Sequence, residues 1–377
     1  MKKIIRTSTV PISLYTFACK QLIELKDEYE VIAVSSPGED LENLHEECGV
    51  KTIAVPMERH ISLFRDFKSL IRMIHVFRKE RPDMVHSITP KAGLVSMLAA
   101  WLTHVPVRMH TFTGLVFPTS TGLKRRILIL MDKLICACAT YVNPEGQGVA
   151  DDLKRFGVTK KPLHIIANGN VRGIDMAYYD RTPKVMAEAE GIRLEGMTTF
   201  CFIGRIVRDK GINELVSSFD RLHREYVDTR LILIGGYEEK LDPLAPETME
   251  RIKQGDGIEY VGRQSDVRPW LAASDIFVFP SYREGFPNTV IEAGAMGLAS
   301  IVTDINGSRE IIVQEKNGEI VPSQDADALY SKMKEWVEHP DKVKEMAGNA
   351  RQMVGDRYEQ QMIQKATIAI YKDLLNE

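Results

Sequence analysis

Short apolar runs rich in β-branched residues alternate with longer stretches of helical periodicity along the whole chain. In the first half the runs predict strands at Lys3–Thr7, Glu30–Ser35, Lys51–Val55, Met84–Ile88, Val107–Thr111, Thr140–Asn143 and Leu163–Ala167. In the second half they predict strands at Thr198–Ile203, Arg230–Ile234, Ile258–Val261, Ile276–Pro280, Ser300–Thr303 and Glu319–Val321. Strands separated by helix-length segments are β-α-β units, so the expectation is an α/β protein built on parallel sheets. At 377 residues the chain is long enough for two such domains. The join is expected between Asn168 and Gly196, where a turn-rich segment leads into a charged stretch with no clear strand. The last segment, from about Arg357, is amphipathic and follows no further strand.

Charge changes the picture more than overall composition does. Up to Asn170 there are 23 Lys and Arg against 17 Asp and Glu, and beyond it 26 against 35, so a basic half of +6 precedes an acidic half of −9. Such a split raises the question of an anionic partner. The whole chain is acidic and carries no RNA or DNA motif, which argues against nucleic acid. Five cysteines without Cys-x-x-Cys or paired histidine spacing indicate neither a disulfide framework nor a zinc site, and point to a reducing cytoplasm. The N-terminus is interrupted by Arg6 and Pro11, unlike a signal peptide, and no stretch is apolar enough to span a bilayer.

In parallel α/β sheets, ligands sit at the carboxyl ends of strands, where helix N-termini turn backbone N–H groups toward anions. Two constellations fall at such positions. In Ile276-Phe-Val-Phe-Pro-Ser281-Tyr-Arg-Glu284-Gly-Phe-Pro-Asn288-Thr, a strand ends at Pro280, Gly285 permits a tight turn, and Asn288 is the expected N-cap of a helix carrying Glu292. Backbone N–H groups at Asn288 and Thr289 suit a phosphate, Glu292 suits ribose hydroxyls, and Glu284 suits a sugar. Alone, the two glutamates fit equally a solvated loop residue and a complement to the helix dipole. The second constellation, Phe200-Cys-Phe-Ile-Gly204-Arg205-Ile-Val-Arg208-Asp-Lys210-Gly211, repeats strand, glycine turn and helix start. Arg205 and Lys210 there could neutralise a diphosphate, with Arg208 the more solvated residue; alone, the segment also fits surface charge.

Taken together, Gly204-Arg205…Lys210-Gly211 and Pro280-Ser281…Glu284-Gly285-Phe286-Pro…Glu292-Ala resemble the retaining glycosyltransferases of the GT-B architecture. The likeness is to the large bacterial family, glycosyltransferase group 1 or family four, whose two glutamates are separated by seven residues. It extends over Val261-Gly262-Arg263…Asp266, Ala273-Ser-Asp275 and Asn306-Gly307-Ser-Arg-Glu310, and so covers most of Thr198–Glu319. The resemblance implies two facing Rossmann-like domains with a cleft between them. Residues 1–175 would bind acceptor, residues 190–356 would bind the nucleotide-sugar donor, and a helix over about 357–377 would cross back to the first domain. It further implies Arg205 and Lys210 as the donor-diphosphate pair, Glu284 beside the transferred sugar and Glu292 on the ribose. Arg263 would lie beside the base, and Gly204, Gly285, Phe286, Asn288 and Thr289 would complete the donor contacts.

In the first half, Asp83-Met-Val-His86-Ser-Ile-Thr-Pro-Lys91-Ala-Gly93 and Val107-Arg-Met-His110-Thr-Phe-Thr-Gly114 are similar to members that extend sugars on undecaprenyl diphosphate. His110 matches the family's histidine near the sugar 6-hydroxyl, and Lys91 falls among the acceptor-side residues. Where many members carry two glycines after the first strand, this chain has Thr7-Ser8-Thr9, so the Ser8 hydroxyl is expected to take over a phosphate contact. Lys124-Arg125-Arg126 abut five apolar residues, a pattern that holds anionic lipid head groups at about 1 kcal/mol per basic residue. The segment from Phe64 to Phe77 is amphipathic too, as a core-facing helix would be.

The implied reaction is retaining, metal-independent transfer of a hexose or N-acetylhexosamine from a UDP-sugar to a polyprenyl-diphosphate-linked saccharide, for capsule, O-antigen or another surface glycan. No cofactor is expected, and the expected location is the cytoplasm, at the inner face of the membrane. Two other readings stand beside it: a sugar-nucleotide epimerase or hydrolase of the same fold, and a non-catalytic nucleotide-sugar-binding subunit.

Overall fold

A computed structural model of the chain describes residues 1–58, 62–238 and 242–375. It divides into two units, Met1–Gly173 with Gln361–Glu377, and Ile174–Gln360.

In unit 1 the elements are β1 (Lys3–Thr7), α1 (Pro11–Leu25), β2 (Glu30–Ser35), α2 (Glu39–Cys48), β3 (Lys51–Ala54), α3 (Leu63–Glu80), β4 (Met84–Ile88), α4 (Pro90–Leu102), β5 (Val107–Phe112), α5 (Gly122–Cys138), β6 (Tyr141–Pro144) and α6 (Gln147–Arg155). The six strands are parallel in the order β3-β2-β1-β4-β5-β6. The predicted strand at Leu163–Ala167 is a correction: Leu163 makes a single bridge to Val142, and Ala167 turns left-handed at φ 49°, which ends extended pairing.

Unit 2 contains α7 (Pro183–Glu190), β7 (Thr198–Ile203), α8 (Ile212–Glu225), β8 (Thr229–Ile234), α9 (Pro246–Gln254), β9 (Ile258–Gly262), α10 (Arg268–Ala272), β10 (Ile276–Phe279), α11 (Asn288–Ala295), β11 (Ala299–Thr303), α12 (Ser308–Ile311), β12 (Gly318–Val321), α13 (Ala326–Glu338) and α14 (Pro340–Tyr358). Its parallel sheet runs β12-β11-β10-β7-β8-β9. Every residue of β8, β10 and β11 is buried, as befits strands covered on both faces. That is why these strands read as unbroken apolar runs rather than as alternation.

The final helix, α15 (Gln360–Leu374), packs on unit 1 through the fully buried Tyr371. A one-way hydrogen-bond chain fixes it there. The buried Arg6 donates to the Tyr371 hydroxyl (2.7 Å) and to Gln21 (2.9 Å), and Tyr371 donates to Nδ1 of His86. Nε2 of His86 then donates to Thr111 (2.7 Å), whose hydroxyl donates to Asn143 (2.8 Å). A phenol has one proton to give, so each later direction follows, and His86 is the neutral Nε2–H tautomer. Burial, with the Arg6 charge adding to it, holds its pKa well below the usual histidine value.

Two further features of unit 1 differ from expectation. Cys19 of α1 and Cys48 at the end of α2 form a disulfide, although their spacing matches no framework motif. The packing of α1 beside α2 brings them together, a tertiary fact invisible to spacing. On α3, Met73 and Phe77 face the core, but Phe64, Phe67 and Ile71 are 69%, 61% and 50% exposed. Leu123, Ile127, Leu130 and Leu134 form a similar exposed row on α5. Among the described residues no helix is long and apolar enough to cross a membrane.

Candidate functional site

The strand order of unit 2 reverses between β7 and β10, so the loops that leave these adjacent strands diverge and open a crevice at their carboxyl ends. Those loops carry both charged constellations. Bare backbone lets them approach: Gly211 sits left-handed at φ 70°, and a Cβ there would run into the Pro280 carbonyl. Gly235, at φ 146°, presses in the same way on the Gly204 carbonyl, and aligns the loop after β8 with the one after β7. Gly204 N–H closes this contact by donating to the Ile234 carbonyl at 2.9 Å.

Lys210, mostly buried, forms an ion pair with Glu284 and stands 5.3 Å above the Phe279 ring. The Ser281 hydroxyl donates to the same Glu284 oxygen at 2.8 Å. Arg205, more exposed, reaches Glu238 in the loop after β8 at 2.6 Å. Each of the two cations is thus held by one carboxylate. Gly285 and the buried Phe286 rest against Gly307, and Phe286 meets Tyr358 edge-on at 5.4 Å between centroids. Helix α11 starts at Asn288 with Pro287 as its N-cap, so Asn288 is the first helical residue and not the cap expected of it. Its first turn, with Asn288 and Thr289, lies at the end of the Glu284 loop, where backbone N–H groups and the positive end of the helix dipole favour an anion. Glu292, one turn on, is 7% exposed and so is no solvated surface group. Arg263 lies in the loop after β9, its guanidinium beside Gly236. Arg208 is exposed and pairs with Asp242 at 3.2 Å.

Several residues that touch this constellation did not stand out in the sequence. Arg283 grips Asp209 through two nitrogens at 2.6 and 2.9 Å, and the Tyr282 hydroxyl donates to Glu214 at 2.6 Å. Opposite charges adjacent to Lys210 and Glu284 in sequence were the available signal. Glu238 had none, because it belongs to neither motif.

The candidate residues of unit 1 sit differently. His110 is 1% exposed, with Nδ1 at 2.8 Å from the Ser87 hydroxyl and its ring on Gly93, where a Cβ would collide with it. Burial pulls its pKa down to about 3, only partly opposed by hydrogen bonding to Ser87, so the imidazole is neutral. Ser8 is fully buried, and its hydroxyl donates to the Val10 carbonyl (2.6 Å) and faces Ser35 (3.2 Å). This corrects the expectation that it is open to a phosphate. Lys91, 5% exposed, is paired with Asp66 at 2.5 Å. Of the basic cluster on α5, Lys124 and Arg126 are exposed, while Arg125 lies over the Phe156 ring at 4.9 Å. Among the described residues no group of three His, Cys, Asp or Glu is arranged to hold a metal ion.

Comparison with known proteins shows the family. Residues 188–353 match the family model described as glycosyl transferases group 1, and residues 18–169 match that of a glycosyl transferase 4-like domain. The capsular polysaccharide biosynthesis glycosyltransferase CapM of Staphylococcus aureus is 30% identical over 353 residues, covering 93% of this chain and 92% of that protein. The UDP-Gal:alpha-D-GlcNAc-diphosphoundecaprenol alpha-1,3-galactosyltransferase of Escherichia coli is 27% identical over 297 residues, 74% of this chain and 73% of that one. The crystal structure of Anabaena Alr3699/HepE in complex with UDP and glucose superimposes with a TM-score of 0.82 over 99% of this chain and all of that one, at 15% identity. This likeness shows the fold, the GT-B architecture.

Proposed function

The chain belongs to the group 1 glycosyl transferases, and from that premise we propose that it moves a hexose or N-acetylhexosamine from a UDP-sugar to a saccharide hydroxyl on a polyprenyl diphosphate, with retention of anomeric configuration. Bacterial capsule, O-antigen or a related surface glycan is the product class. The observation that carries the reading is the convergence of Arg205, Lys210 and Glu284 at the switch point of unit 2, beside the start of α11. The name of the CapM relative supports the product class, and that of the galactosyltransferase relative supports the acceptor class and the UDP donor.

In this reading the diphosphate takes Arg205 from Glu238 and Lys210 from Glu284, and sits on the first turn of α11. Glu292 receives the ribose hydroxyls, Arg263 lies along the base, and Gly204, Gly285 and Phe286 wall the pocket. Glu284, released from Lys210, accepts hydrogen bonds from the sugar. The bond from the anomeric carbon to the diphosphate oxygen breaks while the acceptor oxygen bonds on the same face. The acceptor proton passes to the departing oxygen, and the charge left on the diphosphate is stabilised by Arg205 and Lys210. His110 and Lys91 belong to the acceptor side, where the neutral imidazole serves as a hydrogen-bonding group.

The exposed rows of α3 and α5, with Lys124, Arg125 and Arg126, form a peripheral contact with the anionic inner face of the cytoplasmic membrane, where the acceptor lipid resides. Their positive charge disfavours a second copy of the same face.

A thermal-shift screen across UDP, GDP and their sugars, followed by product analysis with and without a lipid-linked acceptor, tests the reaction. UDP compounds are expected to stabilise most, and a glycosidic product with the donor's anomeric configuration should appear only with acceptor. Conversion of the donor without acceptor would instead establish the epimerase or hydrolase. For the membrane contact, replacing Lys124, Arg125 and Arg126 by alanine should weaken binding to phosphatidylglycerol vesicles about 100-fold, at about 1 kcal/mol per residue. Unchanged binding would rule that contact out.

A further inference from the structure

We infer that Asp209 and Arg283 are positioning residues, a staple that holds the Lys210 loop and the Glu284 loop in one register so that both side chains meet the donor together. This rests on the donor-site reading above.

The two loops come from strands far apart in the chain, and nothing covalent sets their spacing. Besides the Lys210–Glu284 pair itself, four contacts cross between them. The Tyr282 N–H donates to the Asp209 carbonyl at 2.9 Å. Arg283 holds the Asp209 carboxylate through two nitrogens. The Ser281 hydroxyl lies 3.3 Å from the Asp209 carbonyl and 2.8 Å from Glu284, and the Tyr282 hydroxyl donates to Glu214 in the first turn of α8. The residues of the staple alternate with those of the site: Asp209 precedes Lys210, and Arg283 precedes Glu284. A shift in the staple is therefore transmitted to the two functional side chains through one peptide bond each.

Nε and Nη2 of Arg283 both donate to the one oxygen Oδ2 of Asp209, a pair of donors from a single rigid plane that a lysine could not reproduce. The pair is a quarter to a third exposed, where ion pairs contribute little to stability, so its placement is better explained by geometry than by folding energy. Arg283 has a second effect. By pairing with the Asp209 carboxylate it offsets the negative charge that lies next to Lys210 in the chain. Asp242 supports the arrangement from the other side by accepting the Asp209 N–H at 2.6 Å.

The test is calorimetric binding of UDP to the full chain in a double-mutant cycle. Lys210→Ala is expected to weaken UDP about tenfold in the wild type, the size of one charge-assisted hydrogen bond. In an Arg283→Gln background the same substitution should cost less than about threefold, because Lys210 is already out of register. Exchanging the charges, Asp209→Arg with Arg283→Asp, should restore most of the tenfold effect. An undiminished Lys210→Ala effect in the Arg283→Gln background, or no recovery on exchange, overturns the staple while leaving the donor site standing. No Lys210→Ala effect in the wild type overturns the donor-site reading itself. If Arg283→Gln fails to fold, Asp209→Asn, which removes the charge of the other partner in the same pair, replaces it with the same expected direction and the same overturning result.

Discussion

The two units have the same sheet order, with a reversal between β1 and β4 in one and between β7 and β10 in the other, yet their switch points are furnished in opposite ways. In unit 2 the crevice carries Arg205 and Lys210 paired with carboxylates that a stronger anion can displace. In unit 1 the corresponding loops are lined by hydroxyls that satisfy one another. The hydroxyls of Thr9 and Thr89 are 2.7 Å apart, Thr9 N–H donates to Thr89 (3.1 Å), and Ser36 donates to the Thr9 carbonyl (2.7 Å). Thr89 itself is held at φ 72°, a costly conformation for a β-branched residue. Topology thus sets where a crevice opens in each unit, whereas the side chains set what that crevice suits. A charged, exchangeable crevice suits a diphosphate, and a prepaired hydroxyl cluster does not.

Breaking the charged half should have the largest effect. Lys210→Ala and Glu284→Ala are each expected to lower turnover by about 100- to 1,000-fold, the range for removing a group that stabilises developing charge. Circular dichroism should show an intact fold, and wild-type rates in both variants would remove the contrast drawn above. Next come the glycines that let each unit close on its site. Gly235→Ala places a methyl against the Gly204 carbonyl at a φ unsuited to alanine, and is expected to cost about 2–4 kcal/mol by denaturant titration. Gly93→Ala in unit 1 meets an imidazole rather than backbone, and should cost about 1–3 kcal/mol. Equal and negligible costs would mean that neither close approach constrains its unit.

The mildest perturbation, a change of pH with no residue replaced, is expected to act on unit 1. His86 and His110 are held neutral in the fold but bind a proton near pH 6.5 when unfolded. Their contribution to stability is unchanged above that pH and declines as pH falls below it, by about 1.4 kcal/mol per unit for each histidine, down to about pH 3 for His110. Calorimetry between pH 7.5 and 4.5 should show the slope, and His110→Gln should flatten it. An identical slope in that variant would refute the assignment.

How much of this was legible in sequence also differs between the units. The strands of unit 2 were readable almost to the residue because parallel strands buried on both faces are uninterrupted apolar runs, as at Thr198–Ile203. Arg205, Lys210 and Glu284 stood out because they fall in the segments that follow two such runs, and because the two segments together resemble the family's motifs. The arrangement of Asp209 with Arg283, and of Arg205 with Glu238, was not legible: each joins residues 33 or 74 positions apart that only the sheet order brings together. In unit 1 the amphipathic pattern of α3 could not say which apolar residues face the core, since Phe67 and Phe77 look alike in sequence and only one is buried. The Ser8 hydroxyl was misread for a similar reason, because a serine beside a strand end has equal reason to turn inward.

The chain from Arg6 through Tyr371 to His86 also bears on the order in which the molecule can be completed. Arg6 is synthesised before any residue of unit 2, but the phenol that covers it follows the whole of unit 2 in the chain. Domains ordinarily fold in the order in which they are made. Here the unit begun first is finished last, and during synthesis a buried guanidinium and a buried imidazole wait, still hydrated, for α15 to arrive.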